Sequence, residues 1–137
     1  MARLHLVAIA HRLPAWAASA RDEYLGRMPR GYEVTLVQLK PKEAGKIREK
    51  IPRHLRLVAL DERGRDLTTR QFAALLGEPT VFVIGGADGL DPAIKKEAAL
   101  LLRLSALTLP HALAQVVLCE QIYRAATLLT GHPYHRE

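Results

Sequence analysis

The chain has a single cysteine, Cys119, among its 137 residues. One thiol cannot build an internal disulfide framework, and a lone cysteine set in an apolar helical stretch fits a reducing compartment. No run approaches the roughly 18 continuous apolar residues that a membrane span needs. Arg3, His5 and His11 interrupt the N-terminal apolar residues, which is not a secretory pattern. Internal repeats and low-complexity segments are missing as well. So are paired metal ligands: His132 and His135 form one close pair, but His111 and Cys119 do not make the second pair that a closed zinc site draws from another segment. These absences lead to the expectation of a soluble cytoplasmic protein, with no membrane association and no metal.

Acidic side chains are in short supply. Fourteen Asp and Glu face 20 Lys and Arg, a net charge of +6. The excess is concentrated. Lys40, Lys42, Lys46, Arg48, Lys50, Arg53 and Arg56 stand against only Glu43 and Glu49, so this stretch holds five of the six excess charges. A solvated helix face explains such a run as well as a phosphate-binding surface does, where each neutralised phosphate releases counterions. Otherwise the balance is that of a soluble globular protein, with 49% hydrophobic and 25% charged residues. A chain of this length forms one domain, residues 1–137, and buries roughly 68% of its unfolded surface.

Strand and helix patterns alternate along the chain. Residues 4–9, 32–39, 57–60, 81–84 and 105–109 read as five strands, the fourth apolar throughout and so covered on both faces. Pro14 suits a first helical turn, after which Trp16, Ala20 and Tyr24 recur on one face. Residues 42–50 are a short charged helix candidate. Thr68-x-x-Gln71 is a capping box opening a helix over 69–76, with Gly77 as its stop. Asp91-Pro92 caps another, which the pattern carries to about residue 102. The longest helix covers 112–130. This alternation predicts a parallel sheet with helices on both faces.

Three segments could carry chemistry. Gly85-Gly86-Ala87-Asp88-Gly89 follows the buried strand at the edge where open α/β sheets bind ligands, although it matches neither a Walker loop nor G-x-G-x-x-G, and a plain tight turn accounts for it equally. Residues 104–109 are apolar and stop abruptly at Pro110, followed by His111, for which a structural hydrogen bond is the ordinary role. The end of the chain, His132-Pro133-Tyr134-His135-Arg136-Glu137, crowds imidazoles, a phenol and a guanidinium where most chains are bland. Glu120 and Arg124, four apart on the last helix, are either a surface ion pair or part of a site.

These segments together resemble one family. The matching residues are Leu4-x-Leu6-Val7-Ala8, Leu60-Asp61-x-x-Gly64, Phe82-Val83-Ile84-Gly85-Gly86-x-x-Gly89-Leu90 and Leu104-Ser105-x-Leu107-Thr108-Leu109-Pro110-His111. Glu120-Gln121-x-Tyr123-Arg124-Ala125 and the terminal His-Pro-Tyr-His-Arg-Glu complete the set. In order and over nearly the whole chain, they resemble the RlmH family of the SPOUT superfamily, the ribosomal RNA large-subunit pseudouridine N3-methyltransferases. The resemblance implies a SPOUT-type α/β fold, a parallel sheet flanked by helices with a C-terminal trefoil knot, which no periodicity argument would propose. It implies S-adenosylmethionine as cofactor, lined by Leu60, Gly85, Leu104, Ser105, Ala106, Leu107, Thr108 and Leu109. It also implies a homodimer with the active site shared between subunits, acting on 23S ribosomal RNA within the assembled ribosome. Catalysis would fall to His135 as base or hydrogen-bond acceptor, Arg136 against developing negative charge or phosphate, and Tyr134 on the target base. His111, Glu120 and Arg124 are secondary candidates. Two departures accompany the match: residues 40–56 are shorter than expected, and Gln115 stands where the family commonly has arginine. The alternatives are a non-catalytic RNA- or ribosome-binding protein on the same fold, or a related enzyme acting on transfer RNA.

Overall fold

The computed structural model describes residues 4–136, the side chain of His135 excepted. Five strands form one all-parallel sheet in the order β2-β1-β4-β3-β5. They are β1 (Leu4–Ile9), β2 (Val34–Leu39), β3 (Arg56–Asp66), β4 (Thr80–Ile84) and β5 (Leu100–Arg103). Between them run α1 (Ala15–Gly26), a 3-10 turn (Pro41–Lys46) leading into α2 (Ile47–Lys50), α3 (Thr69–Leu75) and α4 (Pro92–Glu97). The chain closes with α5 (His111–Thr130) and a 3-10 turn (Pro133–Arg136).

Side-chain alternation builds two cores from one sheet. Leu4, Leu6, Phe82, Ile84 and Val58 point to the layer of α3 and α5, where Phe72, Leu76, Leu118 and Ile122 meet them. Val7, Ile9, Val81, Val83 and Ala59 point the other way, onto Ile47 and Ile51 of the α2 region and Ile94 of α4. The fully buried β4 is the central strand, as its unbroken apolar sequence requires. Thr68 caps α3 as expected, its hydroxyl accepting from Gln71 N–H at 3.1 Å while Gln71 Oε1 accepts from Thr68 N–H at 2.9 Å.

Three expectations need correction. On α1 the inward face is Ala17 and Arg21, with Tyr24 and Leu25 packed partly behind them; Trp16 is 58% exposed. The predicted stripe through Trp16 and Ala20 was one residue out of phase. Helix α4 ends at Glu97, not near residue 102, because Ala98 turns extended and Ala99 N–H bonds to Leu57 O at 2.9 Å. The following apolar residues therefore enter the sheet as β5, five positions before the expected fifth strand. A short apolar run fits a buried helix turn and a buried strand equally well, and sheet pairing decided this one. Residues 105–109, freed from the sheet, form a loop.

A further irregularity shapes the site. Both Leu60 and Arg65 of β3 pair with Leu102 of β5, so residues 61–64 leave the ladder as a bulge. Gly64 makes this possible: a Cβ there would sit 2.6 Å from Leu101 O and 2.7 Å from Leu102 C. Bulges of this kind re-aim side chains at the rim of a sheet.

Candidate active site

The bulge and the loop after β5 face each other across a cavity of about 340 Å³. Its walls are Leu60 to Arg63 on one side, residues 102–109 on the other, and Ala114 of α5. Leu60, Leu104, Ser105, Ala106, Leu107, Thr108 and Leu109 thus come together as the sequence motifs anticipated. The loop belongs to no helix or strand. Leu107 N–H donates to Ser105 Oγ at 2.9 Å, a local turn, and the sheet claims no amide of the loop. Leu107 itself is 77% exposed, which places an apolar side chain at the rim.

Gly85 is not among the residues lining the cavity. Its Cα lies against its own loop, where a Cβ would come within 2.8 Å of Gly89 C and 2.9 Å of Leu90 N. Gly86 and Gly89 pair as an isolated bridge, and Gly89 has φ +76°, a left-handed conformation suited to glycine. The Gly85 carbonyl accepts from His111 Nδ1 at 3.1 Å, which ties this loop to the first residue of α5. His111 is half-buried, and that burial lowers its pKa, opposed in part by the bond to Gly85.

Motif reasoning gave no role to Asp61, Glu62, Arg63 and Arg103, which also border the cavity. Asp61 accepts from Arg63 N–H at 2.8 Å and pairs with Lys95 of α4 at 2.9 Å. These two contacts, the backbone bond first, hold its carboxyl below the usual carboxylate range. The sequence pattern ended this strand at residue 60, whereas β3 runs on to Asp66, so Gly64 falls inside a strand, where glycine often marks a bulge.

The C-terminal segment folds back on α5. Gly131, with φ +79°, ends the helix, and His132 N–H bonds to Thr127 O at 2.9 Å. Tyr134 lays its ring 4.6 Å from that of Tyr123 and 5.0 Å from the Arg124 guanidinium. Its hydroxyl donates to Glu120 Oε2 at 2.8 Å. Glu120 accepts as well from Arg124 Nε at 3.0 Å and from Gln121 Nε2 at 2.8 Å. Gln121 then accepts from Thr69 at 3.0 Å, and both border a smaller hollow of about 130 Å³ that shares Leu102, Arg103 and Leu104 with the main cavity. Burial, followed by the bond to Glu120, raises the Tyr134 phenol well above its ordinary pKa. Arg136 is exposed, and the side chain of His135 lies outside the described residues. Neither Tyr134 nor Arg136 lines the cavity in the single chain.

Cys119 is fully buried, and burial pushes its thiol up to about 12. Among the described residues no three metal-ligating side chains gather, and no helix is long and apolar enough to cross a membrane.

A parallel sheet with a loop-built cavity at one edge is common to many α/β proteins, and similarity to known proteins narrows it to one class. Residues 2–135 match the family model described as Predicted SPOUT methyltransferase. Among solved structures, a probable methylase family protein from Haemophilus influenzae superposes with a TM-score of 0.65 at 13% identity, over 97% of this chain and 70% of that one. An AdoMet-bound rRNA methyltransferase from Sinorhizobium meliloti gives 0.56 at 16% identity, over 90% and 57%. At such identities the likeness is one of fold. The sequence relatives are narrower. Ribosomal RNA large subunit methyltransferase H of Polynucleobacter asymbioticus is 49% identical over 146 positions, covering 98% of this chain and 99% of the relative. Its namesake from Burkholderia mallei is 47% identical over 154 positions, covering 98% and 99%. The chain belongs to the SPOUT methyltransferases, in the family of these large-subunit methyltransferases H. Both alignments are longer than the 137 residues of this chain, so the relatives carry residues that it lacks.

Proposed function

We propose that this chain is an S-adenosylmethionine-dependent methyltransferase that acts on N3 of a pseudouridine in 23S ribosomal RNA, on the assembled ribosome. The observation that carries this reading is the convergence of Leu60 and residues 104–109 on one cavity. About 340 Å³ falls within the range of small-molecule sites. Leucine side chains can cover the faces of an adenine, while main-chain groups outside the sheet can read its edge. Glu62 brings a carboxylate to the same wall, complementary to a cationic ligand.

When bound there, the cofactor supplies a methyl group on a sulfonium, open to in-line attack. The surrounding side chains align the two reactants and exclude water, which accounts for much of the rate in such transfers. The pseudouridine N3 must give up its proton as the N–CH₃ bond forms and the C–S bond breaks, so a proton acceptor is required. His135 takes that role, Arg136 balances the negative charge that develops or grips phosphate, and Tyr134 contacts the base through its ring or hydroxyl. Because its phenol is held protonated, Tyr134 serves as a neutral contact and not as the base.

Among the described residues neither Tyr134 nor Arg136 lines the cavity, and the reading includes a homodimer in which a second copy completes each site. Trp16 and Leu129, 58% and 43% exposed on the two packed helices α1 and α5, supply apolar surface for it. The reading also includes the trefoil knot of the C-terminal half and, with a ribosomal substrate, a cytoplasmic location. The test is labelled methyl transfer to ribosomes lacking the modification, with transfer RNA as the competing substrate. Label on the ribosome at the pseudouridine supports the proposal. Label on transfer RNA alone, or cofactor binding with no transfer to either, sinks it. His135→Ala is expected to lose transfer while retaining cofactor affinity; full turnover would remove His135 from the mechanism.

A further inference from the structure

A line of polar side chains, buried at Arg21 and Gln115 and half-buried at His111, runs from α1 to the glycine loop, and the direction of each link in it is fixed. Arg21 on α1 is 4% exposed and Gln115 on α5 is 1% exposed. Arg21 Nη1 donates to Gln115 Oε1 at 3.3 Å and to Gln38 Oε1 at 3.1 Å, while its Nε donates to Asp22 Oδ1 at 2.9 Å. A guanidinium can only donate, so the oxygen of Gln115 must face it. The amide nitrogen of Gln115 therefore faces His111 Nε2, at 2.8 Å, and an NH₂ group also only donates. That leaves His111 Nε2 as an acceptor and puts the ring hydrogen on Nδ1, which donates to the Gly85 carbonyl at 3.1 Å. Arginine, amide, imidazole and carbonyl thus form an ordered relay that admits a single tautomer of the histidine.

Position gives this relay a consequence. His111 opens α5 directly after the loop that walls the cavity, and Gly85 has no side chain with which to hold its own loop. The His111–Gly85 bond clamps these two loops together at the carboxyl edge of the sheet. We infer that Arg21 and Gln115 are positioning residues, which hold His111 neutral and in the Nδ1–H form and thereby keep the loop after β4 and the cavity loop in the arrangement that binds the cofactor. The inference rests on the cofactor reading proposed above.

Protonation of His111 would break the relay. A hydrogen on Nε2 would meet the NH₂ of Gln115, donor against donor. Turning the Gln115 amide would only move the conflict, setting its NH₂ against the Arg21 guanidinium. Of the charged groups near this line, the helix end and Arg21 oppose protonation, while the Asp22 carboxylate, paired with Arg21, favours it. The N-terminal end of the 20-residue α5 carries partial positive charge, and Arg21 stands behind Gln115. The carboxylate of Asp22 lies beyond Arg21, Gln38 from β2 is neutral, and the Cys119 thiol stays protonated. Burial is the main cause that lowers the histidine, opposed in part by its bond to Gly85, so the competent neutral form persists through neutral pH and is lost as the pH falls below the usual histidine range.

The test is calorimetric titration of the full chain with S-adenosylmethionine from pH 5 to pH 8, paired with long-range ¹⁵N–¹H spectra of the imidazoles. The wild type is expected to show the Nδ1–H tautomer of His111 at pH 7.5 and an affinity that is flat near neutrality and weakens in acid. Gln115→Glu places an acceptor beside the ring, so a protonated His111 keeps both of its bonds and the acid limb should disappear. His111→Asn retains a donor for Gly85 and cannot titrate, so its affinity, whatever its level, should be flat from pH 5 to pH 8. Gln115→Met should weaken binding about tenfold and mix the tautomers, through the loss of a buried hydrogen bond. An Nε2–H tautomer in the wild type, or one pH profile shared by wild type, Gln115→Glu and His111→Asn, overturns the relay while leaving the cofactor reading intact. A folded wild type with no affinity at any pH overturns both. Should Gln115→Glu fail to fold by circular dichroism, the wild-type tautomer and the His111→Asn profile still decide.

Discussion

Glu120 organises the C-terminal segment. Its carboxylate is the common acceptor for the Tyr134 hydroxyl, the Arg124 guanidinium and the Gln121 amide, all half-buried. An i,i+4 ion pair with Arg124 alone would add only a few tenths of a kcal/mol. The value of the arrangement is geometric: it fixes the ring of Tyr134 against Tyr123 and sets the direction in which His135 and Arg136 leave the helix. Glu120→Ala should therefore release the tail without disturbing the cavity. The expected result is a fall in kcat of tenfold or more, consistent with the cost of misplacing catalytic groups by about an ångström, at unchanged cofactor affinity. Single-turnover methyl transfer beside calorimetry measures both, and a loss of cofactor binding would show that the tail supports the cavity directly.

At the scale of elements, the face of the sheet covered by α2 and α4 gathers exposed cations. Behind α2 and α4, Arg48 pairs with Glu97 at 2.8 Å and Lys95 with Asp61 at 2.9 Å, which joins the two helices to each other and to the cavity wall. Lys42, Lys46, Lys50, Arg53 and Lys96 remain exposed on this side. Ile47, Ile51 and Leu55 anchor the segment in the core, so its cations sit on a fixed surface and not on a loose linker. That geometry suits a phosphate backbone, where neutralised charges act through counterion release. Replacing Lys46, Lys50 and Arg53 by glutamine is expected to lower the slope of log affinity for ribosomes against log salt by about one per contacting cation. Thermal stability should hardly change. An unaltered slope would return these residues to the role of a solvated helix face.

For the whole molecule, the separation of tail and cavity sets the prediction. If a second copy completes each site, two differently disabled chains should restore one another. Ala106→Trp fills the cavity, and deletion of residues 132–137 removes the tail; each alone should be inactive. Mixed and allowed to exchange, they form dimers in which one intact cavity faces one intact tail, and activity should recover to a sizeable fraction of wild type. Light scattering should give twice the 15.2 kDa chain mass. A monomer, or a mixed population without recovered transfer, would place the whole site in a single chain.

Where a residue's neighbours in sequence decide its structure, the sequence alone was sufficient. The capping box at Thr68 and Gln71, the unbroken apolar run of β4, the proline opening of α4 and the concentration of cations at 40–56 are local patterns, and each stands in the structure where the sequence placed it. The residues of the cavity loop were legible as a segment too, because the motif 104–111 is contiguous. Tertiary structure decided what depends on a distant partner. Pairing with β3 turned residues 100–103 into a strand and left 105–109 as a cavity wall. The bulge at 61–64 exists because Leu60 and Arg65 share one partner, a relation no window of sequence contains. Trp16 points outward because α1 rests on α5 through Ala17 and Arg21. The single tautomer of His111 follows from an arginine 90 residues earlier, brought against Gln115 only when the chain has folded. Backbone preference and apolar period are written locally, whereas hydrogen-bond direction and register are settled by what the fold brings into contact.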